Sequence, residues 1–396
     1  MHQVITNPGI FPTPGQINSP PYWIDDNGAR PPRINQWSAG LQREIIRDLV
    51  VEANYVGNRG VWEQANSLIN LNAPTTQELQ SHGLNINNAA DRTLLNSRMN
   101  SALAISSGIT APYAGFPMTL TVAQALRPYP QFGNITVDWA PLGGSWYDSL
   151  QVKATKRYAH GLDLTAAFTW QDEMASGAES EPANNVYNRP NQKYISPYSM
   201  PLVFVTSFTY TIPRFGTNRW LRKAAGDWIV SGMLRYSSGL PILVPTANNA
   251  LSSLIFQSTF ANRVPGQPLF LKNLNCHCFD PNTTFVLNPA AWSDPAAGQW
   301  GTSAAYYNDY RSARRYDEQL GLGRVFPLRE KMSLTIRAEF FNVFNRTYLN
   351  SPDSTNALAT QTVNASGQVV SGFGRINTGS TYGPPRNGQI VARFQW

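Results

Sequence analysis

The side chains with the greatest potential for chemistry lie in one tripeptide, Cys276-His277-Cys278. Two thiols and an imidazole can bind zinc, but a structural zinc site normally has four ligands and a wider cysteine spacing. The other histidines, His2, His82 and His160, are distant in sequence. We therefore predict no metal site. A disulfide, which an oxidising periplasm or cell surface favours, and a pair of free thiols stay open as alternatives.

Catalytic groups are difficult to find in this chain. Nucleophilic catalysis needs a nucleophile beside a positioned base, and the sequence contains neither a Gly-x-Ser-x-Gly elbow nor a histidine within a predicted strand. Arg337 and Glu339, two positions apart, are typical of a structural ion pair. Gly321-Leu322-Gly323 and Gly372-Phe373-Gly374 lack the strand–loop–helix setting of a phosphate loop, and we interpret them as relieving crowding or bending strands. We predict no enzyme, no catalytic residue and no cofactor.

Binding is a better prospect than catalysis. Three tyrosines lie beside three arginines in the segment Tyr306, Tyr307, Tyr310, Arg311, Arg314 and Arg315. Such a group could contact a glycan, a peptide or anionic lipopolysaccharide. The alternative interpretation is a row of interfacial tyrosines beside a solvated basic edge.

The composition limits the class of protein. The 396 residues include 31 Lys and Arg against 24 Asp and Glu, which gives a net charge of +7. The basic residues are scattered, whereas nucleic-acid binding needs them clustered on one face, so we predict no nucleic-acid partner. Hydrophobic residues at 42% and aromatic residues at 12% exclude a disordered chain. Charged residues reach only 14%, against about 25% in ordinary soluble domains.

Uncharged stretches exist, but none predicts a membrane helix. Met99–Leu126 and Gly239–Asn262 carry no charge, yet Gly and Pro interrupt both, and a spanning helix needs about 20 mostly apolar residues. We interpret both stretches as loops. The segment from Met1 to Trp23 also lacks the apolar core of a secretion signal.

Strict alternation of apolar and polar residues is the dominant pattern. In the segment 331–340, every second residue from Met332 to Phe340 is apolar, and the residues between them include Arg337 and Glu339. This period of two predicts a strand with one apolar face and one polar face. The pattern predicts nine strands, at Trp37–Ile45, Leu49–Asn58, Ser149–Tyr158, Leu162–Gln171, Leu202–Ile212, Trp228–Tyr236, Tyr316–Phe326, Lys331–Phe340 and the last ten residues.

A transmembrane antiparallel β-barrel explains this pattern better than a soluble sandwich. The segments have the length of about ten residues that a tilted crossing needs, and aromatic residues lie at their ends, where interfacial belts form. The apolar face would then contact lipid and the polar face would line the lumen. The predicted lumen-facing polar residues are Lys153, Arg157, Arg235, Arg337, Glu339 and Arg393.

Loop lengths predict the orientation and the domain organisation. Outer-membrane barrels have short periplasmic turns and longer extracellular loops. With the last strand ending in the periplasm, the long loops 61–145, 173–200, 241–315 and 346–386 all fall outside, and Asn134–Ala140 must be a loop hairpin or a strand extension. Residues 1–32 would form an irregular extracellular segment and residues 33–396 the C-terminal part of the barrel. Because single-chain bacterial barrels normally have an even number of strands, we expect nine or ten strands of a larger, incomplete barrel.

The last strand carries a candidate assembly signal. Ile390, Ala392, Phe394 and Trp396 share its apolar face and resemble the signal by which the outer-membrane barrel assembly machinery recognises its substrates. An unpaired strand offers backbone hydrogen-bonding groups and side-chain contacts for strand addition. The alternative is an ordinary closing strand that happens to end on Trp.

Several segments resemble one family, the Oar-like TonB-dependent receptors of the outer membrane. They are Gln36–Arg59 (QWSAGLQREIIRDLVVEANYVGNR), Leu126–Val137 (LRPYPQFGNITV), Tyr147–Trp170 (YDSLQVKATKRYAHGLDLTAAFTW), Leu287–Trp292 (LNPAAW), Leu334–Phe344 (LTIRAEFFNVF) with Asn345, Phe373–Ile376 (FGRI) and Pro385–Trp396. RAEFFNVFN, LRPYPQF and the aromatic last strand are the most specific pieces.

The resemblance implies a large barrel, of about 22 strands, filled by an N-terminal plug and energised through TonB. It further implies outer-membrane lipid, lipopolysaccharide, the TonB complex through an N-terminal part that is missing here, and an unknown extracellular ligand as partners. We therefore expect the C-terminal barrel portion of a receptor that binds a ligand and transports it across the outer membrane of a Gram-negative cell. A structural or adhesive barrel that presents surface loops without active transport is the alternative.

Overall fold

A computed structural model describes residues 11–65, 69–177, 193–214, 217, 220, 225–276, 278–329, 332–379 and 383–396. His2 and His277 lie outside the described residues. Within these ranges, no helix combines the length and the hydropathy that a membrane-spanning helix requires.

One large antiparallel sheet dominates the fold. Nine strands follow one another across it in chain order, and each is antiparallel to its neighbour. They are β2 (Arg33–Ile46), β3 (Leu49–Glu63), β5 (Gly143–Ala159), β6 (Leu162–Ser176), β8 (Leu202–Thr211), β9 (Trp228–Ser237), β12 (Arg315–Arg329), β13 (Met332–Phe341) and β16 (Asn387–Gln395). A tenth strand, β7 (Lys193–Ile195), pairs with the end of β6. All nine predicted strands are confirmed, and this mostly β architecture agrees with the wall of the predicted transmembrane barrel.

The strands differ from the prediction in their length. The strands contain 9 to 17 residues, because several continue beyond the segments of about ten residues that cross a bilayer. β3 runs to Glu63, β5 begins at Gly143 and β6 runs to Ser176, so all three enter the predicted loops. Within the described residues, β2 and β16 form the two open edges of the sheet.

Connections alternate between the two ends of the sheet. Arg47-Asp48 joins β2 to β3, and His160-Gly161 joins β5 to β6. Asp48 and His160 have positive φ values of 66° and 54°, a backbone conformation that reverses the chain tightly. We call this end the short-turn end. The opposite end, where the connections around 64–142 and 238–314 begin and end, is the long-loop end.

Pairing register sorts the side chains of the sheet onto two faces. Lys153 lies opposite Ala167, Ala167 opposite Val205, and Val205 opposite Arg235. Since paired residues and every second residue point to one side, these positions share a face. The same face carries Arg157, Arg337, Glu339 and Arg393. All six residues predicted to line the lumen therefore lie on one side of the sheet, the polar face.

The opposite, apolar face is exposed rather than packed. Leu41, Trp170 and Ile390 on this face keep 75%, 60% and 79% of their surface accessible. Burial of such side chains against lipid instead of protein is what a membrane barrel requires. A soluble sandwich would cover this face with a second sheet, and the described residues form no such layer.

The packed hydrophobic cores lie in the long connections instead. One core contains the helices α1 (Thr76–Ser81), α2 (Ala89–Asn96), α3 (Ala102–Ser106), α4 (Val122–Ala125) and α5 (Leu251–Leu254). A second core gathers side chains from 242–310 and from Phe373 and Ile376 around Trp292 and Tyr310. The described parts of the predicted loops therefore contain short helices and packed cores. Side-chain N-caps begin α1 to α4, and the Thr75 and Glu78 side chains, for example, form a reciprocal capping box.

The segment Asn134–Ala140 also differs from its prediction. It is neither a hairpin nor a strand extension, since Val137–Asp138 (β4) pairs in parallel with Trp23–Ile24 (β1). Residues 11–32 are therefore tied to the loop core. Two further short antiparallel pairs lie in the connections, β10 (Asn262–Arg263) with β11 (Trp292–Ser293) and β14 (Thr362–Val363) with β15 (Val369–Ser371).

Candidate functional site

A cavity of about 430 Å³ opens on the polar face at the long-loop end. We call it the mouth cavity. Its floor consists of strand residues of the polar face, among them Arg235, Asp317, Gln319, Phe341 and Asn387. Its roof consists of loop residues, among them Asn275, Arg314, Tyr348 and Leu349. The cavity therefore forms where the ordered loops fold over the rim of the sheet.

A tight turn after β13 builds one side of the mouth cavity. Asn342 has φ 49° and Asn345 φ 51°, a left-handed conformation that asparagine tolerates. The Asn342 side chain donates to Arg346 O at 2.9 Å and accepts from Arg346 N at 2.8 Å. These bonds return the chain over β12 and carry Thr347–Leu349 to the cavity. The FNVFN part of the sequence is thus a turn motif.

A disulfide and a hydrogen bond lie close together in the roof of the mouth cavity. Cys276 and Cys278 are bonded to each other, which confirms the disulfide among the alternatives. The preceding Asn275 lines the cavity, and its Oδ1 accepts a hydrogen bond from Arg314 N at 2.8 Å. Within the described residues, no group of three His, Cys, Asp or Glu side chains could hold a metal ion.

The charges around the mouth cavity are mostly positive. Arg235, Arg314 and Arg315 line it together with a single carboxylate, Asp317. Arg235 and Asp317 are cross-strand partners, and the Asp317 carboxylate accepts from Gln319 Nε2 at 3.2 Å. Burial raises the pKa of Tyr348, so its hydroxyl stays protonated and can donate at neutral pH.

The predicted tyrosine–arginine group divides into two parts. Tyr310 is fully buried, with its ring centroid 5.3 Å from that of Trp292, and burial raises its pKa. Neither a ligand contact nor an interfacial position fits Tyr310, so both interpretations are wrong for it. Arg311 is structural, because its guanidinium donates to Ser199 O at 2.6 Å and Gly239 O at 3.1 Å. Only Arg314 and Arg315 reach the cavity.

The remaining residues of the polar face are spread along the sheet. Arg337 Nε lies 2.6 Å from Glu339 Oε1, so the predicted ion pair is confirmed. Glu339 also lines a shallower cavity of about 310 Å³ near the middle of the sheet. Lys153, Arg157 and Arg393 are exposed and line neither cavity. That the polar face encloses a lumen stays a prediction.

The four residues of the predicted assembly signal lie at an open edge. Ile390, Ala392 and Phe394 lie opposite Ala338, Ile336 and Leu334 of β13. The Trp396 ring stacks on Phe394 at 6.0 Å between centroids and is 87% exposed. A strand with one paired edge and an exposed aromatic face can dock a further strand, which is what recognition by the assembly machinery would need.

We expect Phe394→Ser to reduce the amount of assembled protein in the outer membrane several-fold, because the docking face loses its central aromatic side chain. Gln395→Ser is the matched control on the opposite face of the same strand. The measurement is the amount of folded, protease-resistant chain in outer-membrane fractions at equal synthesis. Equal amounts for the two variants would identify the strand as an ordinary closing strand.

An ion pair with a fully buried carboxylate escaped the sequence analysis. Glu318 occupies an apolar-face position of β12, opposite Leu234, and its side chain is fully buried. Its Oε2 accepts from Arg346 Nε at 2.6 Å, and this pairing raises the pKa of Arg346. The signal was available, since a carboxylate between Tyr316 and Leu320 interrupts an apolar row and implies a buried partner.

The motif LRPYPQF forms a hydrogen-bonded hub in the first loop core. The fully buried Asn72 amide donates to Tyr129 O, Phe132 O and Gly133 O at 2.9, 3.0 and 2.7 Å, and its Oδ1 accepts from Tyr129 N at 2.8 Å. The guanidinium carbon of Arg127 stacks 3.4 Å from the Phe256 ring centroid, and burial lowers the pKa of Arg127 to about 10. The motif is therefore architectural.

Comparison with known proteins identifies the family to which the fold belongs. Residues 3–389 match the family described as "Outer membrane beta barrel domain". No curated protein sequence matches significantly. Among solved structures, the chain is similar to the outer membrane transporter YddB from Escherichia coli, with 12% identity and a TM-score of 0.40 over 96% of this chain and 34% of that one.

Two further solved structures are similar at the same level. The ferric-catecholate import receptor Fiu from Escherichia coli K12 shows 8% identity and a TM-score of 0.38 over 95% of this chain and 30% of that one. FpvA from Pseudomonas aeruginosa, bound to a heterologous pyoverdine, shows 10% identity and a TM-score of 0.37 over 98% and 29%. The chain spans about a third of the length of these proteins.

Proposed function

The chain belongs to the outer membrane β-barrel family, and on that premise we propose that it is the C-terminal barrel portion of an Oar-like TonB-dependent receptor. In this role it captures a ligand outside the cell and takes part in its energised transport across the outer membrane. The family places the protein in the outer membrane of a Gram-negative bacterium. The TonB complex, lipopolysaccharide and the barrel assembly machinery would be its partners.

The observation that carries the proposal is that the two faces of one sheet differ in character: one is apolar and exposed, and the other is charged. An exposed apolar face needs lipid, whereas the opposite face carries many charged side chains, among them the six predicted to line the lumen, and ends in a charged cavity under folded loops. Open edges at β2 and β16 need further strands, since unpaired backbone groups are costly in lipid. The resemblance of several segments to Oar-like receptors supports the proposal that such strands belong to the barrel of a receptor of that kind.

An antibody against the exposed turn 364–367 tests the receptor in its native bacterium. We expect the outer-membrane band to lie well above the 43.9 kDa of this chain and to form a formaldehyde cross-link with TonB. If the chain is part of a TonB-dependent receptor, inactivation of TonB should remove the cross-linked adduct and leave the outer-membrane band unchanged. A band at the mass of the chain alone, without an adduct, would instead favour the adhesive barrel.

Orientation can be tested with single cysteines, because the two native cysteines are bonded to each other. We expect Ser366→Cys, in the long connection after β13, to react with a membrane-impermeant maleimide in intact cells. Arg47→Cys, in the first short turn, should react only after the outer membrane is opened. Labelling of Arg47→Cys in intact cells would overturn the assignment of long loops to the outside.

A further inference from the structure

The mouth cavity is lined by more positively charged than negatively charged side chains. Three arginines and one aspartate line it. Among the described residues, no carboxylate lies within 4 Å of the Arg235 or Arg314 guanidinium. Arg235 Nη2 lies 3.9 Å from the Met200 sulfur, and Arg314 is exposed at the rim. Two guanidinium groups are therefore available for an external anion.

Apolar and aromatic side chains complete the lining. Leu274, Leu349, Phe341 and Tyr348 border the same space as the arginines. A volume of about 430 Å³ falls within the range of roughly 300–1,000 Å³ typical of small-molecule sites. An inorganic anion would leave these apolar side chains in contact with water. A ligand with an apolar body would cover them, and their burial would add to its binding free energy.

We propose that the mouth cavity binds a small organic anion, in which a carboxylate or phosphate group is carried on an aromatic or other apolar body. A guanidinium group binds either a carboxylate or a phosphate through paired N–H donors. Arg235 would provide these donors from the strand floor of the cavity and Arg314 from its roof. The proposal deepens the proposed function and rests on it, since it takes the polar face as the side from which ligand enters.

Fluorine NMR on the full chain, refolded in a neutral detergent, tests the class of ligand. The probes are 4-fluorobenzoate, 4-fluorophenyl phosphate and the uncharged 4-fluorobenzamide. We expect at least one of the two anions to bind saturably and about tenfold more tightly than the amide, because charge-assisted hydrogen bonds are lost in the neutral probe. The benzoate and phosphate arms identify which anion the site prefers, and added salt should weaken either one.

Arg314→Gln is the decisive variant, because Arg314 is exposed and its backbone bond to Asn275 does not need the guanidinium. We expect its affinity for the preferred anion to fall about fivefold or more. Arg386→Gln is the matched control: it removes the same charge from an exposed residue beside Asn387 but outside the lining. Arg235→Gln should repeat the Arg314 result from the floor.

Two results would overturn the proposal: equal binding of the anions and the amide, or equal losses in Arg314→Gln and Arg386→Gln. Both results are distinguishable from failure of the proposed function. If the TonB cross-link and the external labelling of Ser366→Cys persist while anion binding fails, only the ligand class is wrong. If anion binding persists without the cross-link, the cavity stands and the receptor role is wrong.

Discussion

Replacing Asn72 with Ala should unfold the LRPYPQF region while the sheet survives. The variant removes the two N–H donors that Asn72 Nδ2 shares among Tyr129 O, Phe132 O and Gly133 O, and the acceptor of the hydrogen bond from Tyr129 N. Each hydrogen bond is worth about 1 kcal/mol net, and buried groups left unpaired cost more. Phe132 O keeps a second donor, Gln124 Nε2 at 2.9 Å, which limits the loss. We expect the local free energy of opening to fall by about 3–4 kcal/mol.

Hydrogen exchange of the full chain measures this effect segment by segment. The amides of residues 120–140 should lose protection in Asn72→Ala, whereas those of β5 and β6 should keep it. Asn96→Ala is the control, because Asn96 is exposed and bonds only to Arg92 O one helical turn earlier. Unchanged protection at 120–140 in Asn72→Ala would show that the hub does not organise the loop.

Replacing Arg346 with Met should be the most damaging single change at the rim of the sheet. It leaves the fully buried carboxylate of Glu318 without its ion-pair partner. Removal of one member of a buried pair typically costs about 3–5 kcal/mol, whereas replacement of both members by uncharged groups of similar volume is often tolerated. Because the Arg346 side chain is 34% exposed, we expect a loss toward the lower end of that range. We therefore expect the double variant Glu318→Gln with Arg346→Met to regain most of the lost stability.

Urea unfolding followed by tryptophan fluorescence measures these changes in the refolded chain. Arg337→Met is the matched control, because its partner Glu339 is 23% exposed and Arg337 itself 51% exposed. Exposed pairs contribute only about 0–1 kcal/mol. A loss for Arg346→Met as small as that for Arg337→Met, or a double variant worse than the single one, would show that the buried pair is not a unit.

The wall of the barrel could be predicted from the sequence because its signal is local. Alternation of apolar and polar residues at Lys331–Phe340 or at Leu162–Gln171 indicates an apolar environment on one side of the strand and a polar one on the other. This pattern can be recognised without knowledge of any distant contact. The strand ends were predicted less well. Beyond the membrane, both faces of β5 and β6 meet polar surroundings or loops, so the alternation fades although the pairing continues.

The loops could not be predicted in the same way. Asn72 binds residues 57 to 61 positions away, and Tyr310 packs against Trp292 and Phe270. Their sequences look like those of polar, aromatic surface loops, because the contacts that bury them depend on how separate connections meet above the sheet. Composition gives the potential for a core but not its location.

The sequence by itself determined that strands with one apolar and one polar face form the wall, and it determined which residues share each face. Side-chain alternation is a property of extended backbone, so it can be read along the chain. The tertiary structure alone decided that Tyr310 is buried, that Arg346 reaches Glu318, and that Arg235 and Arg314 border one cavity. These relations join residues 18 to 79 positions apart, and only strand register and loop packing set such distances.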